Sequence, residues 1–376
     1  MNAEAKRCSL SGGRICANLL VYGAAHAAVD ATWVGLLFTL WQRENLSLTE
    51  TGWFFLICNF AVFASQPAIG HLIDRIQQPR YGSIVGCLLM VAAMVVFAWQ
   101  PFLSIGLAGM GNALFHVSAG SICLNLTPGR AVAPGIFVAP GAVGVFVGTI
   151  LAEADKFEGY PFILLFFILC ASMLVVAPPT VDYKRIQSRD PSYWSVIVLL
   201  MLLVCIAMRS MMGLGISLPW NSEIAYSVSL IVFVVLGKGL GGFLADRFGW
   251  SRVAVCALAV SALILPFGAG IPALGIAGIF LFNIPMSVTL AATAGLLPGR
   301  PAFAFGLTCL ALDAGTWLIR FPPGSHYEFS NAWIVFLIVS ASAILLYLSL
   351  QTAFHRLPYF FQVERGGRFV ASTPEN

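Results

Sequence analysis

Long apolar blocks follow one another along the whole chain, broken by short clusters of charge, proline and glycine. A helix that crosses a bilayer needs about 20 predominantly apolar residues. The breaks predict twelve such helices, at 15–41, 52–70, 81–98, 101–127, 131–151 and 160–177, then 193–218, 224–244, 252–269, 271–297, 302–320 and 332–350. Very short links join 101–127 and 271–297 to their predecessors. Between the sixth and seventh blocks lies a short, polar, Pro-flanked stretch, PPTVDYKRIQSRDPS. The expected organisation is an N-terminal half (1–177), a linker (178–192), a C-terminal half (193–350) and a tail (351–376).

Loop charges test the count. With the N-terminus in the cytoplasm, alternate loops assign Lys6, Arg7, Arg14, Arg75, Arg80, Arg130, Lys184, Arg185, Arg189, Arg247, Arg252, Arg300, Arg356, Arg365 and Arg368 to the cytoplasmic side. Only Arg43, Lys156 and Arg320 fall outside. This positive-inside bias supports an even number of helices and both termini in the cytoplasm. One missed helix would scramble it.

Composition agrees. Of 376 residues 59% are hydrophobic and 10% charged, where a soluble domain carries roughly 25% charged residues. Mean hydropathy is +0.89. The nine cysteines fall largely in apolar stretches, without C-x-x-C spacing, so they read as small packing residues, not a disulfide framework or zinc cluster. The basic N-terminus runs into a hydrophobic segment that is too long, and lacks the small-residue cleavage site, for a removable signal peptide.

The second half repeats the first. GHLIDRIQQPR follows the second block and GGFLADRFGWSR the eighth; Asp74 and Asp246 are 246 − 74 = 172 residues apart. Pro128-Gly129-Arg130 and Pro298-Gly299-Arg300 are 300 − 130 = 170 apart. Two unrelated landmarks agree within two residues. Parallel six-helix repeats place a binding site at their interface near mid-membrane.

On these residues the chain resembles the major facilitator superfamily over its whole length. The loop signature G-x-x-x-D-R-x-G-R/K fits Gly242, Asp246, Arg247, Gly249 and, one residue displaced, Arg252; the first copy keeps Gly70, Asp74 and Arg75 but has Gln77 where glycine is usual. Within the superfamily it resembles the fosmidomycin-resistance-type exporters: H-x-x-x-D (His26, Asp30), Q-P-x-x-G (Gln66, Pro67, Gly70), A-L-F-H (Ala113 to His116), a spaced glycine pattern in the fifth helix and the pair Arg209-Ser210. Val117 and Pro140 depart from that group's pattern. The resemblance implies an all-α fold of twelve transmembrane helices in two pseudo-symmetric halves, alternating access, a monomer, and gating roles for Gly70, Asp74, Arg75, Gly242, Asp246 and Arg247. The arginine that drug–proton antiporters place early in the fourth helix is replaced by about Ile105.

Ionisable residues inside a membrane are costly and mark candidate sites. They are His26, Asp30, His116, Arg209, Lys238 and Asp313. The third, sixth, ninth and twelfth helices, which the resemblance makes peripheral, have none. His26 and Asp30, one turn apart, share a face, and with Asp313 are the expected proton-coupling residues. Arg209 keeps its charge and must face Asp313, Asp30 or a substrate group. Lys238, paired by the repeat with Gln66, either binds an anionic solute or snorkels to the interface. His116 and Asn112 are expected to line the cavity. Gly141, Gly144 and Gly148 share one face and suit close helix packing.

The expectation is proton-coupled export of a small, anionic or zwitterionic compound across a cytoplasmic (inner) membrane. Uptake of a nutrient anion, or a non-transporting receptor or assembly role, are the alternatives. No H-E-x-x-H, G-x-S-x-G, nucleotide loop or basic groove occurs, so no enzyme, cofactor, metal or nucleic-acid partner is expected; the partners are the solute, protons and the bilayer.

Overall fold

Almost every residue of the computed structural model that is described lies in a helix; these are 12–44, 46–179, 192–322, 328–357, 362–363 and 369–370. The expected linker from 180 to 191, and most of the expected tail beyond Leu357, lie outside the described residues, with Lys6, Arg7, Lys184, Arg185, Arg189, Arg365 and Arg368. The first six helices are α1 (Gly12–Arg43), α2 (Leu48–Ile76), α3 (Pro79–Val96), α4 (Pro101–Leu126), α5 (Val132–Glu153) and α6 (Gly159–Val175). The second six are α7 (Tyr193–Gly215), α8 (Ile224–Phe248), α9 (Trp250–Gly268), α10 (Pro272–Leu296), α11 (Pro301–Arg320) and α12 (Ala332–Arg356). Among the described residues eleven are long and apolar enough to cross a membrane, and α6 is a shorter twelfth. With twelve crossings α1 begins and α12 ends on one face, called here the terminal face.

Local chemistry sets the boundaries. Ser47 caps α2 in a reciprocal arrangement with Glu50, satisfying amides that the first turn leaves free. Prolines open α3, α4, α10 and α11, where their missing N–H costs nothing. Inside α10, Pro285 interrupts the ladder and the helix breaks at Ile284. Sequence periodicity shows no such break, and 271–297 reads as one span.

Two separate apolar cores form. One is built mainly by α1–α6, with Leu290, Phe305 and Cys309 reaching in from α10 and α11, the other by α7–α12 with Ala131. The outer surface carries apolar side chains that only lipid can cover, such as Leu88 on α3, Phe167 and Ile168 on α6, Leu263 on α9 and Leu337 on α12.

The halves meet through two equivalent crossings, α2 against α11 and α8 against α5. Each places a glycine on a facing carbonyl: a Cβ at Gly70 would lie 2.4 Å from the Ala302 oxygen, and one at Gly242 2.2 Å from the Ala131 oxygen. Each also places an aspartate on the first turn of the opposing helix. Asp74 accepts from the Ala302 and Phe303 N–H groups at 3.0 and 2.8 Å. Asp246 accepts from Ala131 and Val132 at 2.8 and 3.0 Å. A helix N-terminus offers free N–H groups and partial positive charge, so a carboxylate is well held there. The sequence places Gly70–Arg75 and Gly242–Arg247 in loops; both stretches are instead helical, because α2 and α8 run on to Ile76 and Phe248. The repeat extends to backbone geometry: Gly129 and Gly299 share φ 74°.

Candidate functional site

The titratable residues of the N-terminal half converge where α1, α4 and α5 meet. Close packing of α5 on α1 makes this possible. A Cβ at Gly144 would lie 2.1 Å from the Ala27 oxygen, and one at Gly148 2.3 Å from the Ala31 oxygen. Beside them, Gly141 faces His26 and Asp30 directly.

His26 Nε2 is 3.2 Å from Asp30 Oδ2, and His116 Nε2 is 3.4 Å from Asp30 Oδ1. The two imidazole Nε2 atoms are 3.0 Å apart. Asn112 donates its amide to Asp30 Oδ1 at 3.3 Å. The far ring nitrogens are tied to backbone: His26 Nδ1 to the Phe137 carbonyl at 2.8 Å, His116 Nδ1 to the Asn112 carbonyl at 2.9 Å. A carbonyl only accepts, so both Nδ1 atoms carry hydrogen; this assigns the tautomers from their partners. In the neutral rings both Nε2 atoms are then bare acceptors that face each other and a carboxylate. Three acceptors at such distances repel unless a cation lies among them. A proton or another cation placed among them would relieve that repulsion.

The C-terminal half answers with positive charge. Arg209 of α7 is 7% exposed. One η nitrogen donates to the Phe282 carbonyl at 2.9 Å, beside the break in α10, and the guanidinium lies over the Phe282 ring at 5.5 Å. Its Nε is buried without a partner. Lys238 of α8 interacts electrostatically with both Asp30 and Arg209, which directs it to the interface between the halves. Neither cation forms an ion pair with a carboxylate among the described residues, where such pairs are those of Asp30 with its histidines.

Asp313 does not join Arg209. Its Oδ1 accepts from the Thr316 hydroxyl at 3.4 Å, its Oδ2 is buried without a partner, and its charged neighbour is Arg320. Gln66 is fully buried where α2 crosses α11 beside Gly306, and its amide makes no hydrogen bond. The sequence groups His116 with Asn112 alone; the structure adds both to His26 and Asp30. The Phe137 carbonyl, which orients His26, has no signal in sequence.

A cleft of about 360 Å³ opens near the cluster, lined by Trp33, Phe38, Phe55, Asn59, Thr149 and Arg320 among others. Trp33 stands one turn beyond Asp30 towards the face opposite the termini. An apolar groove of similar volume between α9 and α12, lined by Val255, Leu263, Phe336 and Tyr347 among others, lies on the apolar outer surface and carries no Asp, Glu, His, Lys or Arg.

No family model matches the chain. A curated relative, the uncharacterized MFS-type transporter YfnC of Bacillus subtilis (strain 168), is 25% identical over 335 residues, covering 77% of this chain and 81% of that protein. The human organic anion transporter MFSD10 superposes with a TM-score of 0.66 at 14% identity, over 91% of this chain and 100% of that one. The chain has the major facilitator fold. Two further transporters of that fold superpose. The fucose:proton symporter FucP of E. coli does so at a TM-score of 0.57 and 13% identity, over 90% of this chain and 97% of that one. A bacterial homologue of the iron transporter ferroportin, in an outward-facing state, gives 0.58 at 16% identity, over 91% and 100%. Within the major facilitator fold the His26–Asp30–His116 cluster sits where α1, α4 and α5 meet, and Lys238 of α8 interacts with Asp30 across the interface.

Proposed function

We propose that this chain is a secondary transporter that moves a small anionic or zwitterionic solute by alternating access, coupled to protons at Asp30, His26 and His116. The observation that carries the reading is the cluster itself. A carboxylate and two imidazoles converge on one another; across the interface Lys238 interacts with Asp30, and neither it nor the buried Arg209 forms an ion pair with a carboxylate among the described residues. A solute carboxylate or phosphonate supplies the missing negative charge at Arg209 and Lys238, and its arrival changes the field at Asp30. Proton and solute are thereby linked across the interface that alternation opens and closes.

Asp313 is a second titratable carboxylate of the path, near the face that opens. The positive-inside pattern supports both termini in the cytoplasm, and hence a cleft facing outward. The motif resemblance of His26, Asp30, Gln66 and His116 supports export, and the resemblance to the major facilitator superfamily supports a monomer.

The test is transport by the purified protein in liposomes under an imposed pH gradient, with growth protection of an efflux-deficient bacterium over a compound panel that includes phosphonates. The wild type is expected to protect, and Asp30→Asn at matched expression to lose both protection and pH-driven flux. Flux in Asp30→Asn that keeps its pH dependence removes Asp30 from coupling. Accumulation instead of protection reverses the direction.

A further inference from the structure

The proton is not the only cation that the cluster's geometry admits. We propose that His26 Nε2, His116 Nε2 and the Asp30 carboxylate form a site for one divalent transition-metal ion of the zinc type, bound in place of a proton.

Distances carry this first. Metal–ligand bonds of about 2.0–2.2 Å at angles between roughly 90° and 110° span ligand–ligand edges of about 2.9–3.5 Å. The two nitrogens are 3.0 Å apart, and each stands over its own carboxylate oxygen, His26 Nε2 at 3.2 Å from Oδ2 and His116 Nε2 at 3.4 Å from Oδ1, as a carboxylate gripping the ion with both oxygens requires. Direction agrees. The ring centroids are 4.6 Å apart with the planes at 89°, closer than an end-to-end arrangement of the two rings would place them. The two nitrogens therefore converge on a common point beside the carboxylate.

The surroundings suit a ligand set. Each histidine is fixed through its Nδ1–H on a backbone carbonyl, the outer contact that orients a metal-binding imidazole and fixes its tautomer. Asn112 holds the carboxylate from the side. Gly141 keeps the approach clear: a Cβ there would lie 2.5 Å from His26 Nε2 and 2.7 Å from Asp30 Oδ2. Two imidazoles and one carboxylate suit a borderline d-block dication and leave a coordination position for water or solute. Across the interface Lys238 opposes the added charge, and the Cys309 thiol of α11 lies within electrostatic range of Asp30.

The site uses the same atoms as the transport reading and rests on it only there. The test reads binding to the purified full chain, so a protein that transports nothing can still bind metal, and one that binds no metal can still be proton-coupled.

With any affinity tag removed, zinc chloride is titrated calorimetrically at neutral pH. Cobalt(II) absorption is recorded separately. One ion per chain and an intense visible cobalt band are expected. His116→Gln and Asp30→Asn should each weaken binding by at least about tenfold, while a His71→Gln/His355→Gln double variant binds as the wild type. Absence of saturable binding, or equal affinity in both cluster variants, overturns the proposal. If those variants do not fold, the wild-type cobalt spectrum decides. A pale octahedral spectrum, or a thiolate charge-transfer band, places the metal elsewhere and overturns it as well.

Discussion

At the scale of single residues, the sequence shows half of the cluster and hides the other half. His26 and Asp30 are legible because a helix brings positions four apart together. His116 is visible as a buried histidine, but its partnership with Asp30 depends on how α4 is rotated against α1, which no local pattern encodes. The same blindness leaves Asp313, Asp30 and a substrate group all open as partners of Arg209. Arg209 and Asp313 both lie at plausible depth, yet Arg209 turns to the broken α10 and Asp313 towards Arg320. Gln77 offers a test at this scale. It stands at the end of α2 with φ 60°, ψ 31°, where its counterpart Gly249 ends α8 with φ 100°. A side chain in the left-handed region costs roughly 1–2 kcal/mol. Gln77→Gly is expected to stabilise the protein by about 1 kcal/mol, read as a rise in Tm in detergent. An unchanged or lower Tm would show that this turn carries no such strain.

Whole elements were more legible. Each of the twelve apolar blocks corresponds to a helix, because a span of lipid sets a length that composition alone can reveal. The ends were read less well. α2 and α8 run past their expected limits, since the aspartates in their last turns are stabilised by distant helix N-termini and not by local sequence. Glycine positions separate packing from mere tolerance. A Cβ at Gly144 would press on the Ala27 backbone, whereas one at Gly106 meets nothing within 4 Å. Gly144→Ala is expected to destabilise by about 1–3 kcal/mol through forced separation of α1 and α5. Gly106→Ala should be neutral or stabilising by up to about 1 kcal/mol. Equal Tm shifts for the two would refute close α1–α5 packing. Since Gly141 lies on the same stripe, a looser α5 should also disturb the cluster.

For the whole molecule, the terminal face is sealed by two equivalent contacts while the cleft opens on the other side. Each aspartate accepts two backbone N–H bonds, and a hydrogen bond to a charged group contributes about 1.5–3 kcal/mol. Replacing both, as Asp74→Ala/Asp246→Ala, is expected to shift the population towards opening at the terminal face by tenfold or more. Spin labels on the terminal ends of α2 and α11 would report it as a longer distance by pulsed electron resonance. A distance distribution identical to the parent's would mean that other contacts hold that face shut. The repeat makes this arrangement legible in outline, because Asp74 and Asp246 recur at a fixed offset. What they bind is not legible, because their partners are main-chain amides.

That choice of partner bears on how freely the sequence can drift. A contact between two side chains fails when either mutates, and restoring it requires a matched change. Here the receiving ends, at Ala131, Val132, Ala302 and Phe303, contribute only amide hydrogens that every residue except proline possesses. Half of each contact is therefore written in the backbone, beyond the reach of most substitutions. Random variation can erase the seal at the two aspartates, at the glycines that let the helices approach, by introducing proline on the receiving turns, or by enlarging Ala131 or Ala302, which are fully buried.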